Sequence, residues 1–278
     1  MSTFHTIDHE SARRLLERDG VTVLDVRTPA EFDQLGHVPG AWLLPVDLMA
    51  SAPAVLPRDH GPVLVYCEHG IRSAAASQLL SAAGIEVFNL AGGLAVWTGP
   101  REFGSRPVHG PAAWLIENAD LLPRGGQVLD LACGRGRHAL LMASAGFAVH
   151  AIDRDPDAIA FLRDTADRLG LQVDAEVIDL ETEPRPDLRL STYDAVLVFN
   201  YLHRPLMPQL QAATKPGGRI FYETFTVRQA ERGHPRNPAF LLNGGELAEW
   251  IAPFTVVRSR EGDIDGRFIA SIVAERPK

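Results

Sequence analysis

One segment constrains the fold of this chain more than any other, the run Gln127 to His138, which reads Gln-Val-Leu-Asp-Leu-Ala-Cys-Gly-Arg-Gly-Arg-His. Its apolar first half is typical of a short parallel strand that is covered on both faces. Gly134 and Gly136 then remove the Cβ atom where a ligand would approach the backbone, and a helix is predicted from about Arg137. A strand, a glycine turn and a helix in this order predict a nucleotide-binding loop.

Two carboxylates narrow the choice of nucleotide. Asp130 stands at the end of the predicted strand, where its charge would repel a phosphate and attract a cationic amine. A second predicted strand, Val149 to Asp153, also ends in an acid, and it follows about 20 residues later, at the spacing at which ribose hydroxyls are held. The two acids favour a nucleoside that carries an amino acid over a dinucleotide.

These motifs resemble the cofactor motifs of class I S-adenosylmethionine-dependent methyltransferases, and three later segments extend the resemblance. They are the acidic loop Val177 to Leu180, the fourth strand and its catalytic end at Asp194 to Tyr201, and the turn Lys215 to Ile220 before strand five. The resemblance implies a Rossmann-like domain with a seven-stranded, mostly parallel sheet and S-adenosyl-L-methionine as the cofactor. The cofactor-binding residues that it implies are Asp130, Ala132, Gly134, Gly136, Asp153, Arg154, Asp179, Leu180 and Asn200. A dinucleotide-binding domain, or a methyltransferase-like domain without activity, would keep the fold and change the function.

Composition and charge disfavour several classes of partner. The formal net charge of -8 over 278 residues and the pI near 5.7 oppose nucleic acid as a partner, because phosphate contacts need a basic surface. The only two cysteines, Cys67 and Cys133, indicate no disulfide framework, so a reducing cytoplasm is expected. No leader pattern and no apolar run of about 20 residues is found, and we therefore expect no membrane partner. No metal site is predicted.

The segment Cys67 to Ser73 predicts a nucleophile. It follows the apolar strand Pro62 to Tyr66 and precedes a predicted helix of small residues, Ser73 to Ala83. A free thiol has a pKa of about 8.5 and is mostly protonated at neutral pH, but loop N–H groups, a helix N-terminus and a nearby arginine lower that pKa. Gly70 permits a tight ring and Ser73 is predicted to cap the helix. The alternative is an inert buried cysteine.

These residues belong to a larger set that resembles a single rhodanese domain over about residues 5–100. The set comprises Asp25 to Arg27, Glu31 with Phe32, Gly36 to Ala41, Cys67 to Ser73 and Gly92 to Trp97. The resemblance implies sulfur transfer, in which Cys67 takes the sulfane sulfur of a donor such as thiosulfate, becomes a persulfide and passes the sulfur to a thiol or another nucleophile. The loop from Cys67 to Arg72 has the six-residue length of sulfurtransferases; the related arsenate reductases and dual-specificity phosphatases use a longer loop.

The same resemblance implies roles for the charged residues of this domain. Arg72 would hold the anionic part of the donor, and the loop N–H groups would stabilise the persulfide. Glu68 would disfavour dianionic donors, thiosulfate among them. Arg27 and Glu31 are predicted to form a structural ion pair.

A stretch rich in glycine and proline without periodicity predicts the connection between two domains. The predicted organisation is a rhodanese-like domain at residues 1–102, a linker at 103–111 and a class I methyltransferase domain at 112–278. In the second domain an introductory helix is predicted from Ala112 to Leu122, and strands alternate with helices such as Pro156 to Leu169, which indicates a parallel sheet covered on both faces. The segments Phe254 to Ser259 and Arg267 to Ala274 predict a terminal hairpin.

The methyl-acceptor side is expected at the end of the fourth strand of the second domain. Asn200 and Tyr201 would orient groups there, and His203 is predicted as a catalytic base. Arg204 or Arg236 is predicted to hold an anionic acceptor. The alternative for His203 is a helix cap. The segment from Tyr222 through Pro238 to Leu242 loosely resembles the tellurite-resistance and thiopurine-type methyltransferases, which methylate soft chalcogen centres. A soft anionic acceptor needs no general base.

The sequence therefore predicts a cytoplasmic bifunctional enzyme that transfers sulfur through Cys67 and methyl groups from S-adenosyl-L-methionine to a small, chalcogen or thiol acceptor. Catalytic roles are predicted for Cys67, Arg72 and His203, and the expected partners are a small-molecule sulfur donor and a small methyl acceptor. One rival hypothesis is a methyltransferase with a regulatory or docking rhodanese module. Another is a nucleotide-binding regulator without turnover.

Overall fold

The computed structural model describes residues 4–46, 49, 61–103, 111–123, 125–168 and 170–278. Two sheets are formed, one from the N-terminal part of the chain and one from the remainder. Residues 104–110 of the predicted linker lie outside the described residues, as does Leu169, the predicted end of a helix. Among the helices that are described, none has the length and apolar character needed to cross a membrane.

The first sheet has five strands, and every pair of neighbours is parallel. The strands are β1 His5–Ile7, β2 Thr22–Asp25, β3 Trp42–Leu43, β4 Val63–Tyr66 and β5 Val87–Leu90, in the order β1-β5-β4-β2-β3. All four residues of β2 and of β4 are buried. These short apolar runs form strands because both of their faces are covered. The helices of this part are α1 His9–Leu16, α2 Pro29–Leu35 and α3 Ile71–Ala82.

Two helix starts of the first part follow their local capping signals. Asp8 Oδ1 accepts a hydrogen bond from Ser11 N at 2.7 Å, which caps α1. At α2, Thr28 Oγ1 accepts from Glu31 N at 3.3 Å while Thr28 N donates to Glu31 Oε2 at 3.0 Å, forming a complete capping box. Both helices therefore begin directly after a residue whose side chain caps the first turn.

The start of α3 differs from the prediction. The helix begins at Ile71 rather than Ser73, and its N-cap is Gly70 with φ of 86°. Ser73 is not a cap, because its backbone N and its Oγ are directed at Cys67 Sγ at 3.4 and 3.5 Å. The loop closes on the sulfur atom, and this closure brings the chain into helical geometry two residues early.

The second sheet has seven strands in the order β11-β12-β10-β9-β6-β7-β8. They are β6 Gln127–Leu131, β7 Ala148–Asp153, β8 Val173–Val177, β9 Tyr193–Phe199, β10 Thr214–Phe225, β11 Thr255–Ile264 and β12 Arg267–Glu275. The pairs β10–β12 and β11–β12 are antiparallel and the other four pairs of these strands are parallel, so the predicted seven-stranded, mostly parallel sheet is confirmed. The helices are α4 Ala113–Glu117, α5 Arg137–Ser144, α6 Pro156–Arg168, α7 Met207–Ala213 and α8 Glu246–Trp250.

Two predicted elements of this part take a different form. The predicted turn Lys215 to Ile220 lies inside β10, because Gly217 N donates to Arg276 O and Arg276 N donates to Gly218 O, each at 2.9 Å. These bonds keep the segment paired while its register with β9 shifts. The predicted introductory helix ends early, at Glu117, and a 3₁₀ turn over Ala119–Leu121 follows.

Candidate functional site

The first candidate site is a cradle around the sulfur atom of Cys67, directly after β4. Cys67 Sγ accepts hydrogen bonds from Gly70 N at 3.1 Å and from Ser73 N and Oγ. The loop is closed from behind, since Leu94 N donates to Cys67 O at 2.8 Å. A Cβ atom at Gly93 would lie 2.3 Å from Cys67 O, so only glycine allows this approach. The arrangement holds the sulfur in one place and surrounds it with donors.

The two cysteines of the chain are opposite in character. Burial alone would raise the pKa of the Cys67 thiol, but hydrogen bonds from Ser73, His69 and Gly70 outweigh burial and lower the pKa below its ordinary value. Burial raises the pKa of the Cys133 thiol strongly, and the nearby carboxylates of Asp130 and Asp153 add to the effect. Cys67 is therefore the cysteine with the more reactive thiol.

Replacement of Ser73 by alanine is expected to raise the pKa of the Cys67 thiol by about one unit, since the hydroxyl stabilises the thiolate and not the thiol. The midpoint of the rise with pH in the rate of Cys67 alkylation by iodoacetamide would then lie about one pH unit higher. Ser77→Ala is the matched control, because Ser77 lies one turn further along α3, is fully buried, and its Oγ has no hydrogen-bond partner among the described residues. Equal pH profiles for the two variants would contradict this role of Ser73.

The predicted ion pair between Arg27 and Glu31 is wrong. Arg27 is fully buried and binds both carboxylate oxygens of Asp25, while its NH1 donates to Glu68 Oε2 at 2.9 Å. Glu31 pairs with Arg72, whose NH1 donates to Glu31 Oε2 at 2.8 Å. The helix start at Thr28 turns Glu31 toward the Cys67 loop, which explains the exchange of partners.

The second candidate site is a cavity of about 830 Å³ at the carboxyl ends of the parallel strands of the second sheet. Its walls come from the residues that follow β6, β7, β8 and β9, from Phe225 at the end of β10, and from the segment 234–240. In open parallel sheets this edge is where ligands bind, because the loops there converge. All of its lining residues belong to the second sheet and its loops.

The glycine turn of this site is fixed by the second carboxylate. Gly134 N donates to Asp153 Oδ2 at 2.7 Å, and Cys133 N donates to Ile152 O at 3.0 Å. Ala132 and Gly134 both have φ of 54°. Gly136 precedes α5 with φ of 81°, a conformation that favours glycine, and a Cβ atom there would lie 2.3 Å from the end of the Leu162 side chain. The turn therefore exposes backbone to the cavity in a conformation that the sequence motif anticipates.

One wall of the cavity carries a buried polar atom. The hydroxyl of Tyr201 is inaccessible to solvent and forms no hydrogen bond of good geometry with a described residue, although the Glu181 carboxylate lies close to it. Burial raises the pKa of Tyr201, and the charges of Glu181 and Asp179 raise it further, so the hydroxyl remains a donor. Its backbone is held because Tyr222 Oη donates to Tyr201 O at 2.9 Å. A buried donor without a partner is an expected ligand contact.

The structure brings most of the predicted cofactor residues together. Those lining the cavity are Ala132, Asp153, Arg154, Asp179, Leu180 and Asn200. Gly134 adjoins the cavity through its bond to Asp153, and Gly136 is the N-cap of α5. Asp130 is buried in β6, with 1% of its surface exposed, and does not line the cavity.

The predicted acceptor residues are placed less favourably. His203 does not line the cavity, and although it holds the N-cap position of a 3₁₀ turn over Arg204–Leu206, its side chain makes no capping bond. Arg204 is engaged elsewhere, since it pairs with Glu246 at 2.7 Å and donates to Leu241 O at 2.9 Å. Neither residue faces the cavity.

Other side chains line the cavity beside the predicted cofactor residues. His234, Arg236 and Phe240 line the cavity, and the backbone of His234 is anchored because Gln229 Nε2 donates to its carbonyl at 3.2 Å. Sequence reasoning did not select His234 or Phe240. The available signal was that the proline-rich segment around His234 has no periodicity and follows a parallel strand. Such a segment is a candidate ligand loop.

Comparison with known proteins finds a family domain in each part of the chain. Residues 8–99 match the family model of a rhodanese-like domain, and residues 128–218 match that of a methyltransferase domain. A protein from Allochromatium vinosum described as "Sulfurtransferase" is 40% identical over 93 residues, which are 33% of this chain and 85% of that protein. The chain belongs to the rhodanese-like family in its N-terminal part, and a methyltransferase domain follows.

The methyltransferase part has relatives of its own. The "Probable S-adenosyl-L-methionine-dependent methyltransferase TehB" of Haemophilus influenzae is 31% identical over 99 residues, which are 33% of each protein. The crystal structure of TehB from the same organism superposes with a TM-score of 0.50 and 20% identity, over 58% of this chain and 61% of that chain, and shows a common fold. The chain spans less than half the length of several curated relatives that it matches.

Proposed function

We propose that the chain is a bifunctional enzyme, which carries sulfur as a persulfide on Cys67 and transfers methyl groups from S-adenosylmethionine to a small chalcogen or thiol acceptor. The observation that supports the proposal is the presence in one chain of a thiol with a lowered pKa inside a ring of donors and of an acid-lined cavity at the strand ends. The domain families support sulfurtransferase-like chemistry and methyl transfer in general.

The sulfur cradle supports the first half of the proposal. In the proposed step the Cys67 thiolate attacks the outer sulfur of a donor, a new S–S bond forms, and the donor's remaining group leaves with the electron pair of the broken bond. The outer sulfur of the persulfide then carries a negative charge, which the loop N–H groups that bind Cys67 Sγ, those of Gly70 and Ser73, would stabilise. Peptide mass spectrometry after incubation with a donor tests the step, because Cys67 must gain the mass of one sulfur atom.

S-adenosylmethionine is the cofactor of the methyltransferase domain, as the family model and the TehB relatives indicate, and when bound it supplies an electrophilic methyl group on a sulfonium. The cavity residues fit this group. Asp153 and Asp179 offer carboxylate oxygens suited to ribose hydroxyls, Ile178 and Leu180 offer an apolar wall suited to a base, and the Tyr201 hydroxyl offers an unused donor. The carboxylates also suit the positive charge of the cofactor.

The acceptor side of the cavity supports a small anionic acceptor. His234 and Arg236 stand there, and Arg236 forms no ion pair in the part of the chain that the structure describes. A soft anion such as a thiolate or hydrosulfide needs orientation and exclusion of water more than it needs a base. The absence of His203 from the cavity lining is compatible with such an acceptor. We place the enzyme in a reducing compartment, the cytoplasm, because both cysteines are free.

Arg236→Ala is expected to raise the KM for an anionic acceptor about tenfold, the effect of losing one charge-assisted hydrogen bond. The affinity for S-adenosylhomocysteine, which calorimetry measures, should change much less. Arg228→Ala is the matched control, since the Arg228 guanidinium stacks on Phe268 at 4.0 Å and does not line the cavity. A larger effect of the Arg228 variant on the KM would show that the assignment of Arg236 to the acceptor site is wrong.

A further inference from the structure

We infer that the Cys67 site prefers organic sulfane donors over the dianion thiosulfate. The preferred donors carry at most one negative charge, as an organic thiosulfonate or persulfide does. The inference rests on the proposed sulfur transfer through Cys67. Three features beside Cys67 support it. Both arginines there are already paired, the paired groups carry a net negative charge, and exposed apolar side chains stand beside the loop.

The guanidinium group of Arg27 is not available to bind a ligand. Its side chain is fully buried. Its NH2 donates to Asp25 Oδ2 at 2.8 Å and to Gly36 O at 2.6 Å, and its NH1 donates to Glu68 Oε2. A buried guanidinium group with several fixed acceptors does not leave them for a solute, because each carboxylate left behind would lose its partner.

Arg72 is the remaining cation of the loop, and Glu31 already binds it with both oxygens, at 2.5 and 2.8 Å. The hydrogen bond from Arg72 is the main cause that lowers the pKa of Glu31 to about 2, so Glu31 stays ionised at neutral pH. The glutamate is also fixed in place by Thr28, which donates to it through its backbone N and its hydroxyl. A dianionic donor would have to compete with this carboxylate for Arg72.

The ion-paired groups beside the Cys67 loop therefore carry a net negative charge before any donor arrives. Among the described residues that bind one another beside the Cys67 loop, the three carboxylates of Asp25, Glu31 and Glu68 face the two guanidinium groups of Arg27 and Arg72. The Cys67 thiolate adds a further negative charge. Each additional charge on a donor is repelled in this environment, and the repulsion is stronger than in water because the site is partly buried.

Two exposed apolar side chains stand beside the Cys67 loop, among its charged residues. Ile71 lies in the loop itself and is 79% exposed. Val96 is 48% exposed and follows Ala95, whose N–H donates to Glu68 O at 2.9 Å. These side chains offer contact to an alkyl or aryl group, which thiosulfate lacks, and they gain from the burial of such a group.

The chemistry balances for both donor classes. With a thiosulfonate, R–SO₂–S⁻, the Cys67 thiolate attacks the outer sulfur, the S–S bond to the sulfonyl group breaks, and the sulfinate R–SO₂⁻ leaves with the electron pair. With a protonated persulfide, R–S–SH, the same attack yields Cys67–S–SH and the thiolate R–S⁻. With thiosulfate the leaving group is the sulfite dianion, so the same site must hold one more negative charge.

The test compares methanethiosulfonate with thiosulfate, which differ by a methyl group in place of one charged oxygen. Mass spectrometry of the full-length protein follows the rate of sulfur loading on Cys67 at fixed ionic strength, and a free small thiol provides the ratio of intrinsic reactivities. We expect the preference of the protein for methanethiosulfonate to exceed that of the free thiol by at least about tenfold. An alkyl persulfide forms a further arm, and loading from it as well extends the preference to persulfides.

Two variants separate charge from other causes. Glu31→Gln and Glu68→Gln each remove one negative charge beside the loop and should reduce the preference about fivefold or more, chiefly through faster loading from thiosulfate. Glu86→Gln is the control, because Glu86 is an exposed glutamate just before β5. A wild-type preference no greater than that of the free thiol overturns the inference alone. Absence of loading from every donor overturns the proposed sulfur transfer itself.

Discussion

Cys67→Ser is expected to abolish sulfur transfer from a sulfane donor to cyanide, a loss limited only by the background of the assay. The serine hydroxyl occupies the same cradle, but it is not ionised at neutral pH and forms no persulfide. Because Cys133 is buried with a raised thiol pKa, it cannot substitute for Cys67. The assay measures thiocyanate produced by the full-length protein.

The matched control for this experiment is Cys133→Ser, which leaves the sulfur cradle intact. Its sulfur transfer should remain, whereas the Cys67 variant should retain affinity for S-adenosylhomocysteine, because Cys67 does not line the cavity of the second sheet. Sulfur transfer by Cys67→Ser at the wild-type rate would remove Cys67 from the proposed role. Loss of both activities in the Cys67 variant would indicate a folding defect, which circular dichroism detects.

Asp153→Ala is expected to weaken the binding of S-adenosylhomocysteine at least tenfold. The loss of one charge-assisted hydrogen bond costs about 1.5–3 kcal/mol, which corresponds to roughly ten- to hundredfold in affinity. Asp153 also accepts hydrogen bonds from Gly134 N and from Asp155 N at 2.9 Å, so its removal releases the glycine turn as well. Isothermal titration calorimetry measures the affinity directly.

Two further variants show whether the loss of affinity comes from the carboxylate of Asp153. Asp153→Asn retains an acceptor for Gly134 and should bind with intermediate affinity. Asp157→Ala removes an exposed carboxylate in the first turn of α6 and should bind as the wild type does. If Asp153→Ala bound S-adenosylhomocysteine with wild-type affinity, the assignment of Asp153 to the cofactor site would be wrong.

The fold was accessible from the sequence because its signals are local. The apolar runs at Val63–Tyr66 and Tyr193–Phe199 form buried strands, and the glycines near residues 134–136 stand where the backbone requires them. Capping at Asp8 and Thr28 follows from residues within one turn. Where a local signal competed with a tertiary contact the signal failed, as at Ser73, whose hydroxyl serves the sulfur of Cys67 and not the helix start.

The pairing of charged side chains was not accessible from the sequence. Arg72 and Glu31 are 41 positions apart, as are Arg27 and Glu68, and no periodicity or spacing relates such residues. His234 lies in a segment without secondary structure of its own, and its position on the cavity depends on how Gln229 anchors the loop. Motifs therefore located most of the residues that line the cavity at the strand ends, whereas the lining contributed by residues 234–240 required the structure.

The most direct test of the proposed function is an acceptor screen with methyl-labelled S-adenosylmethionine. The full-length protein is supplied with hydrosulfide, small thiols, selenite, tellurite, RNA and protein in separate reactions, and labelled product is measured in each. We predict labelled methyl on a chalcogen or thiol acceptor, and no such product from Asp153→Ala. Label on RNA or protein with none on any chalcogen or thiol, or no turnover with any acceptor despite cofactor binding, would contradict the account.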